Sequence, residues 1–319
     1  MHLSHSDARA LAEEILLRHG FDRPDAELVS EVLVEAHLWG RPTSGLGHLR
    51  HIVETKNRQC VTVVREDSRS VLLDGGNNPG FLVASKAMQL AIGKAKQTGL
   101  ATAAARNAYL GGINGYYVGM AARENLIAMM TTSSGQRVAP AGAIDPLFGT
   151  NPIAIAVPTL NDPVILDMAT ASTNVGGLRR AARLDEALMP GIAIGPDGQP
   201  TTDPASALDG AILPFGGHKG SGLSMMIQCL GILAGGAIVP RGIADFGFFF
   251  LVIDPSLFMP IEEYKARTSE LVQQVHSLRP EEGVEVVRVP GERSQSQRTR
   301  HLAEGIEIDD PLYDELLRL

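Results

Sequence analysis

A chain of 319 residues, 44% hydrophobic and 20% charged, is long enough to bury a large core and to divide into two or three lobes. Its net charge of −8 argues against a nucleic-acid or anionic-membrane surface, so small acidic ligands would have to be met by local basic exceptions. Cys60 and Cys229 are too few for a metal cluster or a disulfide framework, and the charged, amphipathic N-terminus lacks the apolar stretch of a signal peptide; a cytoplasmic protein with reduced thiols is expected.

Asp7 to His19 sets Leu11, Ile15 and Leu16 on one helical stripe, and Pro24 to Trp39 repeats the pattern with Leu28, Val29, Val32, Leu33 and His37. The turn Gly40 to Gly45 follows, carrying the hydroxyls of Thr43 and Ser44, and leads into the helical-looking Leu46 to Lys56 with His48, Arg50 and His51. Such hydroxyls either face a cleft or cap the next helix. Cys60 to Val64 and Ser70 to Asp74 read as a hairpin, Phe81 to Thr98 as a helix and Leu100 to Ala105 as a strand. Arg106 to Gly115 is a glycine-rich turn opening a helix with Tyr116, Tyr117, Met120 and Ala121, and Leu126 to Thr132 is a strand. A long irregular loop from Gly135 to Pro152 suggests function.

Ile153 to Val157 and Val164 to Met168 are apolar strands, and the acid Asp167 near the end of the second needs hydrogen-bond partners, from a ligand or from the following turn. A Pro-Asp-Gly turn at Pro196 to Gly198 precedes the central stretch Ala211 to Gly222, where four glycines, Pro214, His218 and Lys219 run into the apolar segment Leu223 to Val239. That segment is expected to be a buried helix. Its N-terminus, with free N–H groups, the helix dipole, His218 and Lys219, forms either an anion site or a merely solvated turn. Neither a P-loop nor GxGxxG is present. A strand at Phe248 to Ile253, a helix at Ile261 to Leu278 and a strand at Val284 to Val289 are expected next. The arginines 293, 298 and 300 then form a solvated helix face or a phosphate contact.

The motifs PLFGTNPIAIAVP, ILDMATA, PDGQPTTDP, LPFGGHKGSGL and VPGERSQSQR, spread over nearly the whole chain, resemble the type-2 malate/L-lactate dehydrogenase family. Ureidoglycolate and sulfolactate dehydrogenases belong to it, as do reductases of Δ1-pyrroline-2-carboxylate and Δ1-piperideine-2-carboxylate. The resemblance implies an α/β (α+β) fold without a Rossmann domain. A helical lobe is built from both chain ends (residues 1–75 with 292–319), and a mixed-sheet lobe (residues 76–291) binds nicotinamide nucleotide and substrate. Homodimers, NADPH or NADH as cofactor, a small carboxylate-bearing substrate and no metal are implied with it.

Carried over by position, Gly111, Gly112, Ile113 and Asn114, the stretch Asp167, Met168 and Ala169, the pair His218 and Lys219, and Arg293 fall on cofactor-contacting segments, and Thr150 on a substrate contact. The family's catalytic set is altered. Thr43-Ser44-Gly45 stands where Ser-His-Gly is usual, His48 where an arginine holds the substrate carboxylate, Gly177 where a relay acid is kept, and Leu110 where a histidine is frequent. The expected activity is hydride transfer from NAD(P)H to a C=N or C=O beside a carboxylate, most readily in a cyclic imino acid, because an iminium needs no proton donor. His48, expected to titrate near neutral pH, would hold the carboxylate or supply a proton, with Thr43 and Ser44 assisting. The alternative is a family member recruited to another reaction or to nucleotide binding without turnover.

Overall fold

Ser4 accepts a hydrogen bond from the Asp7 N–H and Asp22 one from the Asp25 N–H, and these caps open the first two helices of a computed structural model that describes residues 1–319. In chain order, the first elements are β1 (His2–Leu3), α1 (His5–Arg18), α2 (Arg23–Leu38), two 3-10 turns (Pro42–Ser44 and Leu46–His48) and α3 (Leu49–Glu54). They lead into β2 (Thr62–Glu66), β3 (Ser70–Pro79), α4 (Gly80–Thr98), β4 (Leu100–Tyr109), α5 (Asn114–Arg123), β5 (Ile127–Thr132), β6 (Ile153–Val157) and β7 (Val164–Met168). Then come α6 (Val175–Leu184), β8 (Ala193–Ile194), α7 (Pro204–Asp209), β9 (Ala211–Ile212), α8 (His218–Leu233) and β10 (Phe246–Ile253). The chain closes with α9 (Ile261–His276), α10 (Glu292–Glu304), β11 (Ile306–Glu307) and α11 (Asp310–Arg318).

The sheet has seven strands in the order β2-β3-β4-β10-β5-β6-β7, and only β3 and β4 run parallel. Its centre is packed large against small: on β10, Phe248 and Phe250 sit opposite Ala105 and Ala103 of β4, and all four are buried. Alternation of this kind presents one apolar face of β4 to α4. One core of 51 residues joins that face to α1, α2, α4 and α5, and a second of nine gathers Val138, Phe148, Leu178, Ala181 and Ile212 around α6 and α7. β1 pairs with β11, so the two chain ends close on each other.

Three expectations need correction. The residues 284–289 form no strand: Val284 and Val286 are exposed, with no neighbouring strand to satisfy their backbone. The arginine at 298 is half-exposed but engaged within the protein, its Nε and Nη2 donating to both oxygens of the buried Glu35 carboxylate at 2.8 to 3.2 Å. The segment 223–239 is not a buried helix. α8 starts earlier, at His218, stops before Gly235 and Gly236, and buries Gly220, Ser224, Ile227, Gln228 and Gly231 while Met225, Met226, Cys229, Ile232 and Leu233 face outward. Small residues lie inward because the helix crosses β10 at backbone distance, where a Cβ on Gly247 would overlap the Gly231 backbone.

Candidate functional site

A cavity of about 1060 Å³ lies where the turn after α2, the turn after β4, the 135–152 loop and α6 converge. Thr43, Ser44, His48, Leu110, Gly111, Gly112, Asn114 and Thr150 all line it. Residues picked from three separate stretches of sequence thus line one cavity.

The Thr43–Ser44 turn is anchored on three sides. Gly45 lies under the His37 ring so closely that a Cβ there would overlap it, and the buried His37 accepts the Leu46 N–H through Nε2 at 3.1 Å. Burial lowers the His37 pKa from 6.5 to about 4, helped by the charge of His301 and opposed by Asp309. Arg41, two residues before Thr43, donates to Asp167 Oδ2 at 3.2 Å. Gly176 of α6 lies so near the Thr43 side chain that a Cβ there would come within 3.0 Å of it.

His48 follows on the same wall, its ring tilted against Phe81 with centroids 5.9 Å apart. Burial first, and then the charge of His51, lower its pKa from 6.5 to about 4, while the Thr43 carbonyl works the other way. It is therefore neutral at physiological pH. This direction runs against the near-neutral titration expected from sequence, because the imidazolium gives up water without gaining a carboxylate partner.

The turn after β4 brings bare backbone to the cavity. Leu110 has φ 52 and Gly112 φ 67, and the Gly111 carbonyl accepts the Tyr117 hydroxyl at 2.8 Å. A leucine in the left-handed region costs on the order of 1–3 kcal/mol, a strain of the kind that collects at binding turns. Asn114 donates to Thr132 Oγ1 at 3.2 Å, while Ile113 is buried as the residue capping α5 and does not face the cavity.

Thr150 is held by a relay that links the motifs. Its carbonyl accepts both the N–H (2.9 Å) and the hydroxyl (3.0 Å) of Thr170, whose own carbonyl accepts the Phe215 N–H at 3.0 Å. The next residue, Asn151, is fully buried at φ 32, accepts the Ser134 N–H, and donates to the Ser224 carbonyl and to Gln228 Oε1, both at 3.1 Å. Thr170, Asn151 and Gln228 were not singled out in the sequence. The adjoining motifs were the available signal, but hydrogen bonds across 20 to 77 residues leave no local pattern.

Other expected site residues lie off the cavity wall. The Asp167 carboxylate is buried between Arg41 and the Gly115 N–H (3.0 Å); burial raises its pKa, with Arg41 and that N–H opposing. Both partners of the carboxylate here are groups of the protein. Met168 and Ala169 are half-buried beside it, and Arg293 is exposed in the first turn of α10. His218 and Lys219 are exposed at the start of α8, which Gly217 opens without a side-chain cap. The N–H groups of Gly217, Lys219, Gly220 and Ser221 already bond within the turn, so only those of Gly216 and His218 are free, fewer than the sequence suggested.

α6 was also not expected from the sequence. Asn174 caps it by accepting the Gly177 N–H at 2.8 Å, Leu178 and Ala181 are buried beneath it, and Arg179, Arg180 and Arg183 line the cavity. Apolar residues at i and i+3 among arginines were the signal, obscured by two glycines at the start. No three His, Cys, Asp or Glu side chains converge on a metal-sized site, and no helix is long and apolar enough to cross a membrane.

A family model described as malate/L-lactate dehydrogenase matches residues 3–317. The chain is 35% identical to the L-sulfolactate dehydrogenase of Methanocaldococcus jannaschii over 330 residues, 99% of this chain and 95% of that one. It is 32% identical to a Δ1-pyrroline-2-carboxylate/Δ1-piperideine-2-carboxylate reductase of Pseudomonas putida, over 96% of this chain and 93% of the relative. The solved structure of the M. jannaschii sulfolactate dehydrogenase superposes with a TM-score of 0.91, covering 99% of this chain and 95% of that chain at 35% identity.

Proposed function

The chain belongs to the malate/L-lactate dehydrogenase family, and on that footing we propose that it is an NAD(P)H-dependent reductase delivering hydride to a C=N, or C=O, bond next to a carboxylate, with cyclic imino acids the preferred substrates. The observation that carries this reading is the meeting of Thr43, Ser44, His48 and Thr150 with the Leu110–Gly112 turn around one cavity. When bound, the nicotinamide dinucleotide supplies the hydride. The residues suit such a cofactor: Gly111 and Gly112 offer backbone without side chains, Asn114 an amide, and the start of α8 offers Lys219, His218 and two free N–H groups for phosphate. Ile113, Met168, Ala169 and the Asp167 backbone are assigned to the edges of that site and Arg293 to its outer phosphate side, with NADPH or NADH as the nucleotide.

Imine reduction fits these side chains better than ketone reduction. A ketone develops alkoxide charge as hydride arrives and needs a positioned acid, worth roughly 10²- to 10⁴-fold. Here Ser44, Thr43 and a neutral His48 orient substrate by hydrogen bonds but offer no group that titrates near pH 7. A protonated imine only loses charge, so it needs none. Thr150, whose carbonyl is held by Thr170, offers a hydroxyl for substrate.

The same lack of a neutral-range acid supports a second reading, nucleotide binding without dehydrogenase turnover. Fluorescence titration with NADPH and NADH, followed by assays on cyclic imino acids and 2-oxo acids, separates the two: tight cofactor binding with no turnover of either class overturns the reductase.

A homodimer is proposed from the outward apolar stripe of α8, where Met225, Met226, Cys229, Ile232 and Leu233 recur at helical spacing. The division into a helical lobe (1–75 with 292–319) and a nucleotide lobe (76–291) is kept as a proposal, supported by the β1–β11 pairing and the Glu35–Arg298 ion pair that join the chain ends. A cytoplasmic location is proposed from the two free, exposed cysteines.

A further inference from the structure

A carboxylate entering this cavity needs a positive charge near the Thr43–Ser44 turn, and His48 does not carry one at neutral pH. Four arginines line the cavity. Arg137 stands just before Val138, which packs in the same small core as Leu178 and Ala181, and its backbone is held by Phe148 and Ile212. The other three are on α6, whose second residue, Gly176, touches the Thr43 side chain.

Helix geometry orders them. Arg179 and Arg180 lie three and four residues beyond Gly176 and Arg183 seven, so the row runs along the cavity wall away from Thr43 at roughly 5 Å per turn. Side chains on a helix lean toward its N-terminus, which tilts the first turn of arginines back toward Thr43 and His48. Arg180 is occupied by Glu186 Oε2 at 3.1 Å and Arg183 faces Asp309 Oδ2 at 3.5 Å. Arg179 has no acidic partner and makes no hydrogen bond, although Glu307, Asp309 and Glu315 line the same cavity from the C-terminal side. Of those acids, Asp309 is held by Arg183 and Glu315 by Arg50.

We infer that Arg179 is the residue that holds the substrate carboxylate, α6 supplying from a new direction the guanidinium that position 48 lacks. This rests on the reductase reading above and assigns its substrate-anchoring group. A planar guanidinium grips a carboxylate through two parallel N–H bonds, which fixes the carbon beside it as well as binding it. The buried Leu178 and Ala181 hold α6 in place, and the Gly176–Thr43 contact sets its distance from the hydroxyls.

Arg179→Ala, Arg179→Lys and Arg180→Ala are compared with the parent, each saturated with NADPH. Arg179→Ala is expected to raise KM for a cyclic imino acid by about 10- to 100-fold, as loss of a charged hydrogen bond implies, with unchanged NADPH affinity and melting temperature. Arg179→Lys recovers part of the loss, and Arg180→Ala leaves KM near the parent value. Binding of pyrrole-2-carboxylate, an unreactive planar mimic, and of its carboxamide is measured alongside. The parent prefers the carboxylate, and Arg179→Ala loses that preference. Parental KM and parental carboxylate preference in Arg179→Ala overturn the assignment. A parent that binds the mimic through Arg179 yet reduces nothing upholds the assignment and overturns the reductase. A parent that neither binds the mimic nor turns over any carboxylate overturns both.

Discussion

Arg41 and Asp167, 126 residues apart, meet at 3.2 Å and lock the turn that carries Thr43 and Ser44 to the end of β7. Because the same Asp167 oxygen accepts the Gly115 N–H, the start of α5 and the glycine turn before it are fixed by the same carboxylate. One carboxylate therefore holds both the Thr43–Ser44 turn and the start of α5.

Replacing that anchor distinguishes its structural role from cofactor contact. Asp167→Ala leaves Arg41 and the Gly115 N–H without an acceptor and should lower stability by roughly 1–3 kcal/mol, the smaller end reflecting how exposed Arg41 is. The expected outcome is a lower midpoint in urea and a lower kcat/KM, with NADPH affinity in the folded fraction near the parent value. Lys219→Ala should do the reverse, weakening NADPH binding by about 1–3 kcal/mol while leaving the urea midpoint alone. Parental NADPH affinity in Lys219→Ala would remove the start of α8 from the cofactor site.

How these residues were read from sequence depended on whether their partners were local. The first two helices, the hairpin of β2 and β3, and the core strands were legible because periodicity acts within a few residues, although the caps at Ser4 and Asp22 start the helices one or two residues earlier than the pattern suggested. The apolar run after Lys219 misled: hydropathy marks a helix but not which face is covered, and here glycines buy close approach to β10 while methionines look outward. His48 lines the cavity, and the direction of its pKa was not legible because burial, which only the fold sets, is the largest cause, ahead of the nearby His51. Nothing local marked Arg179, because its meaning lies in Gly176 touching Thr43.

His37 should make stability depend on pH. Its folded pKa of about 4 lies below its ordinary 6.5, so the native state keeps the neutral ring that accepts the Leu46 N–H. The unfolded chain binds the proton first; the stability this contributes is complete above about pH 6.5 and is lost as pH falls toward 4. At about 1.4 kcal/mol per pKa unit, the contribution is roughly 3 kcal/mol at most. Urea unfolding between pH 4 and 8 should show stability falling on the acid side, and His37→Gln should flatten that slope. An equal slope in parent and variant would assign the acid sensitivity elsewhere.

The outward stripe of α8 predicts association. Met226 and Leu233 are 55% and 69% exposed and lie two turns apart on one face, with Met225, Cys229 and Ile232 between or beside them. Contiguous apolar surface of this kind marks an interface in a stable protein. Light scattering should give twice the chain mass for the parent, and Met226→Glu should shift it toward monomer by placing a charge in the covered stripe. A monomeric parent at micromolar concentration would leave the stripe without that role.

Charge decides the last expectation, which concerns the reaction. With His48 neutral down to about pH 4 and only hydroxyls at 43 and 44, hydride addition that creates an alkoxide has no acid to meet it. Turnover should therefore be appreciable on a cyclic imino acid and poor on a pyruvate-like ketone. The pH profile adds a second handle. If His48 stays neutral in the working enzyme, kcat/KM for the imine shows no histidine titration between pH 6 and 8, and His48→Ala lowers it through lost packing on Phe81 and a lost hydrogen bond without changing the profile's shape. A limb near pH 6.5 that disappears in His48→Ala would mean that substrate raises the imidazole pKa and recruits it as the proton donor. Equal activity on ketone and imine would then follow from the same group, and the two measurements together assign the proton.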